Sequence, residues 1–289
     1  MRTSMDGRLL GTSSDDDSIK IWDAASLREI AQLRPGFSGG RERFALDRTH
    51  SRIFSGTWED GLNCYDFAGE RLCWRREDLI GVQGVAFSPA FPSSVFVVLE
   101  APDQLVDGPD VFTGVVELDA ATGDTEWQTE DADSIYLHPE RAVYALTSRE
   151  TKRVRIFDGA SRLLGSTPMA NFAIMDAAFQ GDRLALAEGA KGVRLTNLTG
   201  DVLFSYRPAS RICNCIQIAF SGDSNAVNVF DRGKKTNITS MDTGGRVVCE
   251  YARSTPADIC FVGDGTRFVD ALGNVCRSSD GQVEARILA

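Results

Sequence analysis

The sequence predicts an all-β fold, a seven-bladed β-propeller of four-stranded antiparallel blades, and three observations lead to it. An apolar column repeats along the chain at Met5, Leu46, Phe87, Leu137, Phe179, Phe220 and Phe261, with intervals of 41, 41, 50, 42, 41 and 41 residues. A fixed period in the forties marks stacked supersecondary units, none of which buries its own face alone. Each interval holds four strand-like runs separated by turn residues. A second column ends the third run of a repeat: Trp22-Asp23, Tyr65-Asp66, Leu118-Asp119, Phe157-Asp158, Thr196-Asn197 and Met241-Asp242. Together these predict one domain over 1–289, with blades near 1–34, 35–76, 77–129, 130–167, 168–207, 208–252 and 253–289.

The first strand of each blade carries the apolar column. Side chains two residues apart share a strand face, and the residues two before the column are Phe44, Val85, Ile135, Ala177, Ile218 and Ile259. The positions between are small (Ala45, Ala86, Ala178, Ala219 and Cys260), apart from Tyr136. Small residues let neighbouring sheets approach closely, so both faces read as packing between blades. In the third repeat, Ser88 to Pro92 form the turn, Val95 to Leu99 the second strand, Gly114 to Leu118 the third and Thr125 to Thr129 the fourth. The 50-residue interval places its extra residues between the second and third strands, at Ala101 to Thr113.

The Asp/Asn column precedes turn pairs such as Ala68-Gly69, Thr122-Gly123, Thr199-Gly200 and Gly244-Gly245. Asp and Asn accept hydrogen bonds from backbone two residues on, and Gly takes positive φ, so these carboxylates are hairpin structure. With Ala68-Gly69 as a two-residue turn, Cys64 and Cys73 fall directly opposite each other. They are expected to be reduced neighbours.

Composition narrows the function classes. A net charge of −10 and a pI near 4.8 argue against the broad basic footprint of a general nucleic-acid binder. The N-terminus lacks the apolar core of a secretory signal, and no run approaches 18 apolar residues, so neither export nor a membrane span is expected. Seven cysteines outside any dense framework fit reduced thiols in the cytoplasm. Asp15-Asp16-Asp17 lacks the alternating acids, Gly and distal Glu of a calcium loop. Cys213-Asn-Cys215 has no second ligand pair at zinc spacing. Neither a phosphate-cradling Gly-rich loop nor a Gly-x-Ser-x-Gly elbow is present, and the two histidines, His50 and His138, fall in turns between first and second strands. No metal, cofactor or catalytic residue is assigned.

Ser14-Asp-Asp-Asp-Ser-Ile-Lys-Ile-Trp-Asp23 resembles the end of a WD40 repeat, while Leu118-Asp-Ala-Ala-Thr-Gly-Asp-Thr-Glu-Trp127 is similar to the repeat of quinoprotein-type propellers. The period covers the whole chain, but only the first repeat matches WD40 closely. The Gly-His dipeptide of that family is absent, so its His-centred network is expected to be missing. WD40 rings usually close by sharing one blade between the termini. Here each blade reads as owning four strands, from Met1–Met5 to Val283–Leu288, and closure is expected through side-chain packing.

Fourth-to-first and second-to-third connections emerge at the same end of each blade. Sorting loop charges by this rule gives acids in blades one to three, at Asp15, Asp16, Asp17, Glu59, Asp60, Glu77, Asp78, Asp103, Asp107, Asp110, Asp131 and Asp133. Bases fall in blades four to six, at Arg149, Lys152, Arg153, Lys191, Arg207, Arg211, Arg232, Lys234, Lys235 and Arg253. Such polarity steers a partner of complementary charge. The expected function is a non-enzymatic, cytoplasmic scaffold, monomeric on its own, that binds a protein partner through this face. A second reading uses Asp176, Gln217 and Asp258, at equivalent positions on first strands, as a channel site for a small-molecule sensor or a hydrolase- or lyase-type enzyme, since propeller enzymes place acids there.

Overall fold

The structure is a computed structural model that describes residues 2–13, 18–34, 43–57, 61–100, 112–170, 173–207, 215–221, 225–232, 236–253, 259–262, 266–270 and 272–287. Among them, every strand belongs to one of seven four-stranded antiparallel sheets, each built from four strands consecutive in sequence and hydrogen-bonded in that order. This is a seven-bladed β-propeller. Arg2–Thr3 pairs with Leu10 and Gly11 in the first blade, and Val283–Arg286 pairs within the seventh. The chain divides into two compact units, Met1–Glu150 and Thr151–Ala289.

In the first unit, Leu9, Ile19, Ile21, Phe44, Leu46 and Ile53 form a core between the first and second blades. Phe54, Leu62, Cys64, Phe87, Val95, Val97 and Leu118 form another between the second and third. Phe44 and Phe54 point into different cores because their places on the strands are out of phase. In the second unit, Ala185, Leu195, Ile218, Val229 and Met241 join the fifth and sixth blades, and Phe230, Ile238, Ile259 and Phe268 join the sixth and seventh. Middle strands are buried on both faces, which is why Val143–Ser148 is buried at every residue and why Val143 to Leu146 read as an apolar run without polar alternation.

All seven pairings of third with fourth strand carry a one-residue register shift. Two residues of the fourth strand then oppose one on the third, which bends the strand and sharpens its twist. The bulge aims the following side chain at the next blade's hairpin. Trp74 follows one such bulge; its Nε1 donates to the Ala120 carbonyl at 3.1 Å, and its ring covers Gly123. A Cβ on Gly123 (φ +79°) would lie 2.9 Å from that ring. Phe204 meets Gly245 in the same way, and the Cys249 thiol donates to the Ser279 carbonyl at 2.8 Å.

The bulge corrects the expected pairing of the cysteines. Asp66 opposes Arg71 and Tyr65 opposes Leu72, as the two-residue turn requires, but beyond the shift Cys64 opposes Trp74. Cys73 is the extra residue. Both thiols are free.

The Asp column caps the hairpins. Asp119 Oδ1 accepts from the Ala121 and Thr122 N–H groups at 2.8 and 2.7 Å, and Asp158 Oδ1 accepts from Ala160 and Arg162 at 3.0 and 2.9 Å. The Thr122 N–H holds the Asp119 carboxyl below its ordinary value, as do the Arg162 N–H at Asp158, the Arg246 N–H at Asp242, the Gly69 N–H at Asp66 and the Ser26 hydroxyl at Asp23. A lowered folded value favours the ionised, folded form. The stabilisation is therefore complete above the unfolded value of 3.8 and is lost as pH falls through the lower folded values. The urea midpoint is expected to fall on acidification below about pH 3.8. Asp119→Ala is expected to cost about 0.5–1 kcal/mol at neutral pH, the turn being solvent-exposed, and to flatten that acid limb. Urea unfolding across the acid range checks both.

Candidate interaction face

Backbone hydrogen bonds place the second-to-third turns against the fourth-to-first connections. Glu100 N–H donates to the Gly81 carbonyl at 2.9 Å, Asp133 N–H to Thr147 at 2.9 Å, and Met169 N–H to Lys152 at 2.9 Å. Each unit thus has blade ends where both kinds of loop meet, as the strand count predicts.

In the first unit the described acids at these ends are largely compensated. Arg76 forks onto Asp78, with Nε–Oδ1 at 2.7 Å and Nη2–Oδ2 at 2.6 Å. Arg75 pairs with Glu77 at 3.2 Å. Arg149, which sequence sorting grouped with the bases, lies against the acids instead. Its N–H donates to Asp133 Oδ2 at 2.5 Å, and its guanidinium lies 3.8 Å from Glu100 and 3.9 Å from Asp133. Sorting by sequence counts charges, whereas a partner meets what remains after pairing.

In the second unit, Lys152, Arg153, Lys191 and Arg207 are exposed. Arg153 Nη1 donates to Ser166 Oγ at 3.2 Å, and Lys191 and Arg207 form no ion pair among the described residues. Lys152 and Arg153 stand together at the start of the fourth blade's third strand. Arg232 ends the sixth blade's second strand opposite Thr236. Asp15, Asp16, Asp17, Glu59, Asp60, Asp103, Asp107, Asp110, Arg211, Lys234, Lys235 and Asp258 lie outside the described residues. Counted over the sequence, residues 1–150 hold 14 Lys and Arg against 27 Asp and Glu, net −13, while 151–289 hold 17 against 14, net +3. The charge imbalance is therefore a property of the two units.

The structure brings Asp176 and Gln217 onto adjacent first strands and gives Asp176 a structural task. Its Oδ2 accepts the Ile218 N–H of the next blade at 3.0 Å, and its Oδ1 accepts the Ala177 N–H at 2.9 Å. Arg43, at the same repeat position, donates through Nε to the Gln83 carbonyl of the next blade at 2.8 Å. This column links blades by side chain-to-backbone hydrogen bonds. Gln217 Oε1 is buried with no partner among the described residues.

Sequence reasoning missed the buried pair of Glu188 and Arg194. Glu188 sits in the fifth blade's second-to-third turn and Arg194 on its third strand between Val193 and Leu195. Arg194 Nη2 donates to Glu188 Oε1, which also accepts the Ala170 N–H at 3.1 Å; Arg194 Nη1 donates to Thr167 Oγ1 at 3.2 Å. The fourth and fifth blades are thereby tied at this end. The available signal was a lone charge inside an apolar third strand.

His138 is buried, and its Nδ1 accepts the Glu140 and Arg141 N–H groups at 3.0 and 3.1 Å. It caps a turn, as Asp47 does for the Thr49 and His50 N–H groups in the second blade.

No family model matches the chain, and no curated protein sequence is similar to it. Many solved structures share its fold. One is the β-propeller domain of Cps50 (Swd1) from Myceliophteria thermophila, with a TM-score of 0.72 and 12% identity over 96% of this chain and 91% of that one. At that identity the likeness speaks for architecture alone. The blade count, the strand order and this match together make the chain a seven-bladed β-propeller in fold.

Proposed function

We propose that the protein is a non-enzymatic interaction propeller of the cytoplasm, monomeric on its own, that binds a protein partner through the blade ends where second-to-third turns meet fourth-to-first connections. The observation that carries this reading is the state of the charges there. Glu77, Asp78 and Asp133 of the first unit are paired with arginine, whereas Lys191 and Arg207 of the second are exposed with no ion pair among the described residues. Exposed cations of this kind attract an acidic protein segment and raise its on-rate at low salt. The proposed surface on the second unit comprises Lys152, Arg153, Arg211, Arg232, Lys234 and Lys235, joined by Lys191 and Arg207. The acids Asp15, Asp16, Asp17, Glu59, Asp60, Asp103, Asp107 and Asp110 are its proposed counterpart on the first unit.

The test reverses Lys152, Arg153, Lys191 and Arg207 to glutamate and compares stoichiometric capture from native lysate with the unaltered protein at low and high salt. Capture is expected to weaken about tenfold or more at low salt and to lose its salt dependence. Unchanged low-salt binding would sink the proposal. A thermal shift with a metal, nucleotide or sugar that Asp258→Asn abolishes would replace it with the channel reading.

A further inference from the structure

The bulge in the second blade brings two thiols together. Cys64 lies on the third strand, fully buried in the core between the second and third blades. Cys73 lies on the fourth strand and is exposed. Cys64 opposes Trp74, and Cys73 is the extra residue between Trp74 and Leu72. In a bulge both residues face the single residue across from them, so Cys73 abuts Cys64 although the plain register does not pair them. After burial itself, the nearby Cys73 side chain is among the groups that raise the Cys64 thiol. Directly opposed residues on antiparallel strands hold their Cα atoms about 4.5–5.5 Å apart. Cys73 is one residue removed from that pairing, and a link to Cys64 requires the bulge to hold the two Cα atoms within the roughly 4.4–6.8 Å that a disulfide bridges. Solvent reaches this pair at one end.

We propose that Cys64 and Cys73 form a redox-active dithiol, entered at Cys73 by a low-molecular-weight disulfide of the glutathione class and resolved by Cys64 to a disulfide within the blade. Cys73 gives its proton to solvent, and its thiolate attacks one sulfur of oxidised glutathione. A mixed disulfide forms as the glutathione S–S bond breaks, and one glutathione leaves as a thiolate that takes up a proton. Cys64 then loses its proton and attacks Cys73 Sγ, releasing the second glutathione in the same way. Two protein thiols are oxidised to one disulfide, and one glutathione disulfide is reduced to two thiols. Burial pushes the Cys64 thiol up, so it resolves more slowly than Cys73 reacts.

The linkage has a conformational readout. Cys73 immediately precedes Trp74, which seats on Ala120 and Gly123 of the third blade. Joining Cys73 to Cys64 draws the bulge inward and shifts that seat.

The experiment incubates the full-length protein with oxidised glutathione and follows intact mass, peptide maps and tryptophan emission. A glutathionyl adduct at Cys73 is expected first. It is replaced by a Cys64–Cys73 link with loss of two hydrogens, and Trp74 emission changes with the second step. Cys64→Ala is expected to hold the adduct at Cys73. Cys73→Ser, an exposed substitution that leaves the core intact, is expected to leave Cys64 unmodified. A wild-type reaction that halts at the Cys73 adduct overturns the proposal, as does modification of Cys64 in Cys73→Ser at the wild-type rate.

Discussion

Replacing Glu188 with alanine is expected to lower the free energy of unfolding by about 3–5 kcal/mol, the cost of leaving one member of a buried ion pair alone. Both partners are almost wholly inaccessible, Glu188 at 3% and Arg194 at 6% exposure. After the substitution the Arg194 guanidinium keeps Thr167 Oγ1 as acceptor but loses its carboxylate, and its Nε is already without a partner among the described residues. The Ala170 N–H loses its acceptor as well. Arg194→Met leaves the carboxylate buried and is expected to cost a similar amount. Changing both, as Glu188→Leu with Arg194→Met, removes the two charges together and is expected to recover most of the loss, since the desolvation penalty of a buried pair offsets much of its attraction. The recovery stops short by about 1 kcal/mol for the orphaned Ala170 amide. Urea unfolding of the three variants at constant m checks the set. Because the pair is shielded from solvent, molar salt is expected to change the single-variant loss little. A single-variant cost below about 1 kcal/mol is typical of exposed pairs and would mean that water reaches this one.

The repeat column made the fold legible because its cause is the fold's own packing requirement. Leu46, Phe87, Leu137, Phe179 and Phe220 are all buried, and their recurrence set the strand order correctly. The Asp column was legible for the same reason, since each carboxylate answers a backbone need inside its own hairpin. What the sequence did not reveal depends on neighbours distant in the chain. Asp176 read as a channel acid until Ile218, 42 residues on, was seen to donate to it. Arg149 read as part of a basic half until its position beside Glu100 and Asp133 was known. The bulges were hidden because counting back from a turn assumes an unbroken ladder. A trace existed, however: Trp74, Trp127 and Phe204 recur seven or eight residues after Asp66, Asp119 and Asn197, and each follows a bulge. The loop charges put forward for binding were readable as a tendency of each half, while the paired and unpaired members could be separated only in three dimensions.

Phe54→Ala is the second substitution expected to approach the stability of the whole domain, at about 3–5 kcal/mol against a typical total of about 5–15 kcal/mol. Phe54 is fully buried on the second blade's middle strand, directly across from Cys64. Its ring centroid lies 6.0 Å from that of Trp74 and 5.7 Å from that of Phe87 on the third blade. One side chain therefore supports both the fourth strand of its own blade and the first-strand column of the next. The resulting cavity would be walled by strands that are hydrogen-bonded on both sides, so collapse around it is restricted and the cost falls in the upper part of the range. Phe54→Leu retains most of the volume and is expected to cost about 1–1.5 kcal/mol. Urea midpoints measure both, and Trp74 emission separates two mechanisms. If Phe54 holds the join between the second and third blades, Trp74 becomes more accessible to quenchers in Phe54→Ala under native conditions, before global unfolding. If the loss is only of buried area, quenching stays native-like up to the transition. The first outcome is expected, because the Ala120 carbonyl and Gly123 hold Trp74 from one side only, and Phe54 packs against its ring from the blade's own core.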